Sequence, residues 1–180
     1  PAMPVFETKI VNADGVEQPI GHDGELWVRG APVVKGYINR PDATSEAITD
    51  GWLHTGDVAR CDEEGFIFIV DRVKDMVLRG GENVYCSEVE TTLHKISEIS
   101  ECSVFGVPDD RLGEEVGAII YLVPESAKTV SEIREFCFAH MAKHKVPKYI
   151  WFSDSPLPRN ANGKFLKREL RESLDLKDAL

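Results

Sequence analysis

The chain has 180 residues, 42% of them hydrophobic and 29% charged, with a formal net charge of -10. This is the composition of one globular domain or two small ones and excludes a disordered segment; the bulk acidity argues against a nucleic-acid binder that works by overall charge. No signal peptide or apolar run of membrane-spanning length is visible, and the four cysteines, at 61, 86, 102 and 137, lack the CxxC spacing of a zinc site, so reduced thiols and a cytoplasmic setting are expected.

The chain begins at Pro1 rather than Met and enters in what reads as mid-strand, so a fragment is expected. "GELWVRG" (24–30) alternates Leu26 and Val28 with Glu25, Trp27 and Arg29, the pattern of a half-buried strand. "GFIFIV" (65–70) is apolar on both faces and predicts a buried strand opened by Gly65, after a polar "CDEEG" turn. Short strands with Gly, Pro and Asp punctuation fill the chain to about residue 72. "SEVETTLHKI" (87–96) predicts a helix with a capping box from Ser87 and Glu90 and with Val89, Leu93 and Ile96 on one face. "ECSVFGVPD" (101–109) and "EVGAIIYLV" (115–123) read as strands, "TVSEIREFCFAHMAK" (129–143) as a helix, "YIWF" (149–152) as a strand, and Phe165 onward as a last helix. The expected fold class is α+β: a β-rich part over 1–72, then a compact mixed part over 73–180 with helices on one side of its strands.

Charge is unevenly spread. From His140 to Arg171 there are eight bases (Lys143, Lys145, Lys148, Arg159, Lys164, Lys167, Arg168, Arg171) against Asp154 and Glu169, a net of +6 that leaves -16 for the remainder. A local basic patch on an acidic body suits a small anionic ligand; a solvated helix face fits the charge equally well.

Several stretches offer chemistry. In "GWLHTGD" (51–57), Thr55-Gly56-Asp57 reads as a tight turn exposing a carboxylate, which could accept two hydrogen bonds from vicinal hydroxyls or simply serve the turn. In "VDRVKDMVLRGGENVYCSEVE" (70–90), Asp71, Arg72, Lys74 and Asp75 crowd the boundary between the two parts, and Gly80-Gly81 fits a hairpin turn or a close backbone approach to a ligand. His140 and His144, at i,i+4, could share a metal or only decorate a basic helix face; no third ligand stands nearby, and no metal site is expected. GxSxG, GxxxxGK[ST] and GxGxxG are all absent. In "PRNANGKFLKREL" (158–170), an Asn-Gly turn presents Lys164.

The order and spacing of five blocks carry more than any one of them. "GELWVRG…GY…P…T", "WLHTGD", "GFIFIVDRVKDMVLRGGENVYCSEVE", "VFGVPDDRLGEEVGA" and "LPRNANGKFLKREL" together resemble the acyl-adenylate-forming family of AMP-binding enzymes, over about residues 20–170. "RGGENVYCSEVE" looks most like medium- or long-chain fatty acyl-CoA synthetases.

The resemblance implies the C-terminal end of a large N-terminal domain (1–72) followed by a mobile C-terminal domain (73–180). It implies an acid–thiol ligase that makes acyl-AMP from a carboxylate and ATP and then a thioester with CoA, the small domain rotating between the two steps. Asp57 and Arg72 would hold the nucleotide ribose, Lys74 would be the hinge, Gly80 and Gly81 would line the CoA channel, and Lys164 would be the catalytic lysine of adenylation. Mg²⁺ is expected in the full-length enzyme, on ligands outside this chain, as is the family's Ser/Thr/Gly-rich phosphate loop, so the fragment alone is expected to be inactive. A non-catalytic interaction fragment and a ligase loading a carrier protein are the alternatives. The partners implied are the small substrates and the missing N-terminal domain, with no nucleic acid, and the location cytoplasmic with peripheral membrane attachment as an option. Cys86 and Leu78 depart from the family pattern, where a proline and a lysine are usual.

Overall fold

The computed structural model describes residues 5–180 and divides into two compact units, one ending at Lys74 and one spanning Asp75–Leu180. The strand expected around Pro1 lies outside the described residues.

The first unit is an antiparallel sheet. Strands β1 (Phe6–Val11), β2 (Gly24–Gly30), β3 (Ile48–Thr49), β4 (Trp52–Cys61) and β5 (Ile67–Arg72) are arranged in the order β1-β2-β4-β3, with β5 also pairing β4. One helix that the sequence reading missed, α1 (Pro41–Ala47), precedes β3. Its signal was Pro41, whose fixed φ suits the first helical position. Few side chains of this unit are fully buried: Ile10, Val11, Val58 and Ala59 are its buried hydrophobics. β5 is not the buried strand its apolar run suggested, since Phe68 is 56% exposed and Ile69 58%. A continuous apolar run fixes a preference for extended backbone, but burial needs covering layers on both faces.

The second unit is α+β. Strands β6 (Val77–Arg79), β7 (Glu82–Val84), β8 (Ile99–Asp109), β9 (Gly113–Leu122) and β10 (Tyr149–Phe152) form a sheet in the order β10-β9-β6-β7, with β8 on the other edge of β9. β10 runs parallel to β9, and the remaining pairs are antiparallel. The period-2 alternation of β8 and β9 sends side chains to two cores. On one face Cys102, Val104, Val116, Ala118 and Ile120 pack with Val89 and Leu93 of α2 (Cys86–Leu93) and Ile133 and Cys137 of α3 (Val130–His140). On the other, Phe105, Val107, Ile119 and Trp151 pack with Leu157 and with Leu170 of α4 (Lys167–Ser173). Helices therefore cover both faces, not one. No helix among the described residues is long and apolar enough to cross a membrane.

Two local expectations fail for tertiary reasons. The capping box of α2 does not form: Tyr85 is the N-cap, with no side-chain cap, and Ser87 lies inside the helix. The Glu90 carboxylate is committed elsewhere, accepting the Val104 N–H at 2.8 Å. The same Ser/Thr-x-x-Glu pattern does close at α3, where Thr129 and Glu132 cap each other. His140 and His144 do not share a helix, because α3 ends at His140 and Met141 is extended; the His140 ring stacks on Phe136 at 4.0 Å.

Candidate functional site

Asp57 and Arg72 are brought together. "TGD" is not a turn but a bulge within β4: the β2–β4 register shifts between Glu25 and Trp27, opposite this stretch, and Gly56 takes φ +71. Such a positive φ is free for glycine and strained for other residues, and a bulge re-aims the side chains that follow it. The bulge is fastened from both sides. The Gly56 N–H donates to Glu25 Oε1 at 3.0 Å and the Thr55 hydroxyl to the Leu26 carbonyl at 2.7 Å, while the Gly56 carbonyl accepts the Val73 N–H at 2.9 Å. Asp57 stands opposite Arg72 in the β4–β5 ladder, with Arg72 Nε 3.2 Å from Asp57 Oδ1. Both side chains remain partly exposed. The carboxylate therefore keeps acceptor capacity beyond the ion pair, beside an anchored cation. Lys74 follows two residues later, in the turn where the first unit ends.

Gly80 and Gly81 form the two-residue turn of the β6–β7 hairpin, with φ of +59 and +90. Positive φ at both central positions is what this hairpin turn requires. The Gly80 N–H donates to the Leu112 carbonyl at 2.8 Å, and a Cβ on Gly80 would meet Leu112 Cδ2 at 2.9 Å, whereas Gly81 faces open space. Cys86 is buried, and its thiol donates to the Asp75 carbonyl at 2.7 Å; Leu78 is exposed.

Lys164 lies on an exposed turn ahead of α4. Asn160 closes that turn: its Oδ1 accepts the N–H of Asn162 at 2.9 Å and of Lys164 at 3.0 Å, and Gly163 supplies φ +80. Of the eight bases counted between residues 140 and 171, five hold carboxylates: Lys145 with Glu88, Lys148 with Asp109 and Glu115, Arg159 with Glu101, Lys167 with Glu90, and Arg168 with Glu172. Lys164 holds none among the described residues. It is exposed, and with Lys143 and Arg171 it is one of the three bases of the stretch without a carboxylate partner among the described residues.

The glycine hairpin and the lysine turn attach to opposite ends of one ladder. Arg79 pairs with Gly113, at the end where Gly113 faces Asp109, whereas the lysine turn is bonded to Glu101, which faces Tyr121. Along β9 those points are about 25 Å apart at the usual rise per strand residue. Sequence reasoning missed Glu101 and the structural use of Glu90, Arg159 and Lys167, whose partners lie more than ten residues away in the chain.

Comparison with known proteins gives a consistent picture. Residues 88–164 match the AMP-binding enzyme C-terminal domain. The 2-succinylbenzoate–CoA ligase of Bacillus cereus is 43% identical over 173 residues, which are 96% of this chain and 35% of that protein. Among solved structures, ATP-bound MatB from Rhodopseudomonas palustris superposes with a TM-score of 0.88 at 35% identity, covering 96% of this chain and 35% of that one. The o-succinylbenzoate CoA synthetase of Bacillus subtilis, in complex with the acyl-adenylate intermediate OSB-AMP, superposes with a TM-score of 0.85 at 34% identity and the same coverage. The chain thus spans about 35% of the length of the relatives it matches.

Proposed function

We propose that this chain, whose residues 88–164 belong to the AMP-binding enzyme C-terminal domain family, is the C-terminal part of an ATP-dependent acid–thiol ligase. A carboxylate oxygen attacks the α-phosphorus of ATP and pyrophosphate leaves; the thiol of CoA then attacks the acyl carbon and AMP leaves. The observation that carries this reading is the free Lys164 ammonium on its closed turn. Adenylation brings two anions together, and a compact mobile cation offsets their repulsion as charge develops. Asp57 and Arg72 are suited to the ribose, the carboxylate accepting from hydroxyls and the guanidinium fixing the carboxylate. The distance between the attachments of the Gly80–Gly81 hairpin and the Lys164 turn supports a role for each in a different step. We assign the glycine pair to the CoA channel and Lys74 to a hinge between the units, so that rotation presents one and then the other.

A recess of about 590 Å³ in the second unit has Lys143 and His144 among its walls together with the Arg79–Glu115–Lys148 ion-pair cluster, and offers Lys143 to phosphates of an anionic second substrate. The Mg²⁺ expected with ATP is assigned to ligands outside this chain. For the acid, the named relatives include ligases of 2-succinylbenzoate, which makes that acid the one to test beside the fatty acid the sequence suggested.

The test separates the two steps in the whole protein. Lys164→Ala should lower acyl-AMP formation, read as pyrophosphate release, by about 10²–10³-fold, the cost of losing one such donor, and should leave thioester formation from preformed acyl-AMP and CoA near wild type. Equal loss in both steps would overturn the assignment. Pyrophosphate release with 2-succinylbenzoate against a fatty acid decides the acid.

A further inference from the structure

Asn160 fixes the shape of the lysine turn but not its place on the unit. Arg159 supplies the place. One arm of its guanidinium donates to the Gly163 carbonyl at 2.9 Å and the other to Glu101 Oε1 on β8 at 3.1 Å. The guanidinium lies over the Phe165 ring, 4.0 Å from its centre, and Arg159 and Phe165 form an antiparallel bridge. Gly163 and Phe165 flank Lys164 on either side. The other Glu101 oxygen accepts the Leu157 N–H at 2.6 Å, and Leu157 is buried in the core. One carboxylate on the sheet therefore holds the incoming arm of the turn, and one guanidinium extends that hold to both neighbours of Lys164. The Lys167–Glu90 pair three residues later fastens α4, not the turn.

We infer that Arg159, seated on Glu101, is a positioning residue for Lys164 in the adenylation step; this rests on the role proposed for Lys164 above. With Arg159 43% exposed, the pair adds little to stability, so the fold survives the loss of the guanidinium. What is lost is the reference between the turn and the sheet, and with it the placement of an ammonium that must arrive where charge develops. A displacement of about 1 Å at such a group costs up to about 10²-fold in rate. The planar fork matters because it serves Gly163 and Glu101 in two fixed directions while stacking on Phe165, which a single ammonium cannot do.

In the whole protein, Arg159→Ala should lower the turnover of acyl-AMP formation by about 10- to 100-fold without changing the KM for ATP. Thioester formation from preformed acyl-AMP and CoA should stay at the wild-type rate, which also reports that the variant is folded. Arg159→Lys should recover little, and Glu101→Gln should show the same selective loss in milder form. The deciding measurement is the double variant: with Lys164→Ala already present, Arg159→Ala should cost nothing more, because Arg159 acts only through that lysine. Losses that multiply, an equal loss in both steps in either the Arg159 or the Glu101 variant, or full adenylation by Arg159→Ala would each overturn the positioning role. Full adenylation by Lys164→Ala alone would instead bring down the reading of Lys164 itself, so the two failures are told apart.

Discussion

Lys167→Met tests how far the basic stretch is committed to the fold. The Lys167 ammonium donates to the Val104 carbonyl at 3.1 Å and pairs with Glu90 at 2.9 Å, and Glu90 in turn accepts the Val104 N–H. β8 has β9 on one side only, so these two side chains satisfy both backbone groups of Val104 on its open edge. Removing the ammonium deletes a charge-assisted hydrogen bond worth about 1.5–3 kcal/mol. The 3–5 kcal/mol lost on breaking a fully buried pair does not apply, because the two side chains are 24% and 23% exposed. The Met stem keeps the apolar contacts, so a loss of about 2 kcal/mol is expected, or about 10 °C in Tm for a unit of this size. Urea and thermal unfolding by circular dichroism measure it. The pH dependence is a second check. Burial works against the charge of Lys167, but Glu90 above all, with Cys86 and Asp75, raises its pKa above the ordinary 10.5. Its contribution is then complete below pH 10.5 and is lost as pH rises through the folded-state value. The gap between wild type and variant should be flat from pH 7 to 10 and close only above. An unchanged Tm, or a gap that closes between pH 7 and 9, would refute the reasoning. Adding Glu90→Gln should restore part of the loss, since the stranded carboxylate goes while the acceptor for Val104 stays.

Two further outcomes follow from the geometry. Asp57→Ala in the whole protein should raise the KM for ATP about tenfold or more, the equivalent of the roughly 1.5–3 kcal/mol of hydrogen bonds to a charged group, and unchanged ATP kinetics would sink the ribose assignment. Iodoacetamide on the native protein near pH 8 should label Cys61 first, because Cys86, Cys102 and Cys137 are buried and burial pushes the thiols of Cys102 and Cys137 up to about 12 and about 11; mass spectrometry of the labelled peptides showing early modification of Cys102 would count against this packing.

Much of the second unit was legible in the sequence, because β8, β9 and α3 carry their patterns over 11, 10 and 11 residues and the sheet's two faces simply divide that of the strands, whereas the three-residue strands β6 and β7 are too short to show one. What was not legible depended on partners distant in the chain. Ser87 and Glu90 have capping-box spacing, but Glu90 serves Val104 and Lys167, and a capping contact of about 1 kcal/mol yields to a buried backbone group with no other acceptor. Thr129 and Glu132 have the same spacing and nothing competing for them, so the box forms. "TGD" and a turn share the need for positive φ at Gly56; only the ladder with β2 and β5 makes it a bulge. "GFIFIV" specifies extended backbone and is silent on what covers it.

The net +6 of residues 140–171 illustrates the same point for the candidate site. In sequence it reads as a patch that could attract an anion over a distance. In the fold its carboxylate partners come from α2, β8, β9 and α4: Glu88 and Glu90, Glu101 and Asp109, Glu115, and Glu172. Arg159 and Lys148 tie the lysine turn and the segment before β10 to the sheet, Lys145 and Lys167 pair with α2, Arg168 pairs within α4, and paired charges cancel within a few ångströms, inside the screening length of about 8 Å at physiological ionic strength. The long-range field of the stretch is therefore far weaker than its formal charge. What survives at Lys164 is a contact-range cation; in the role proposed for it, its effect depends on being placed within hydrogen-bond reach of the reacting oxygens, not on attracting them from solution. On that proposal the site gains little from additional surface lysines and loses activity when the turn is loosened, so the seat of Arg159 on Glu101 should matter to Lys164 next after the charge of the lysine itself.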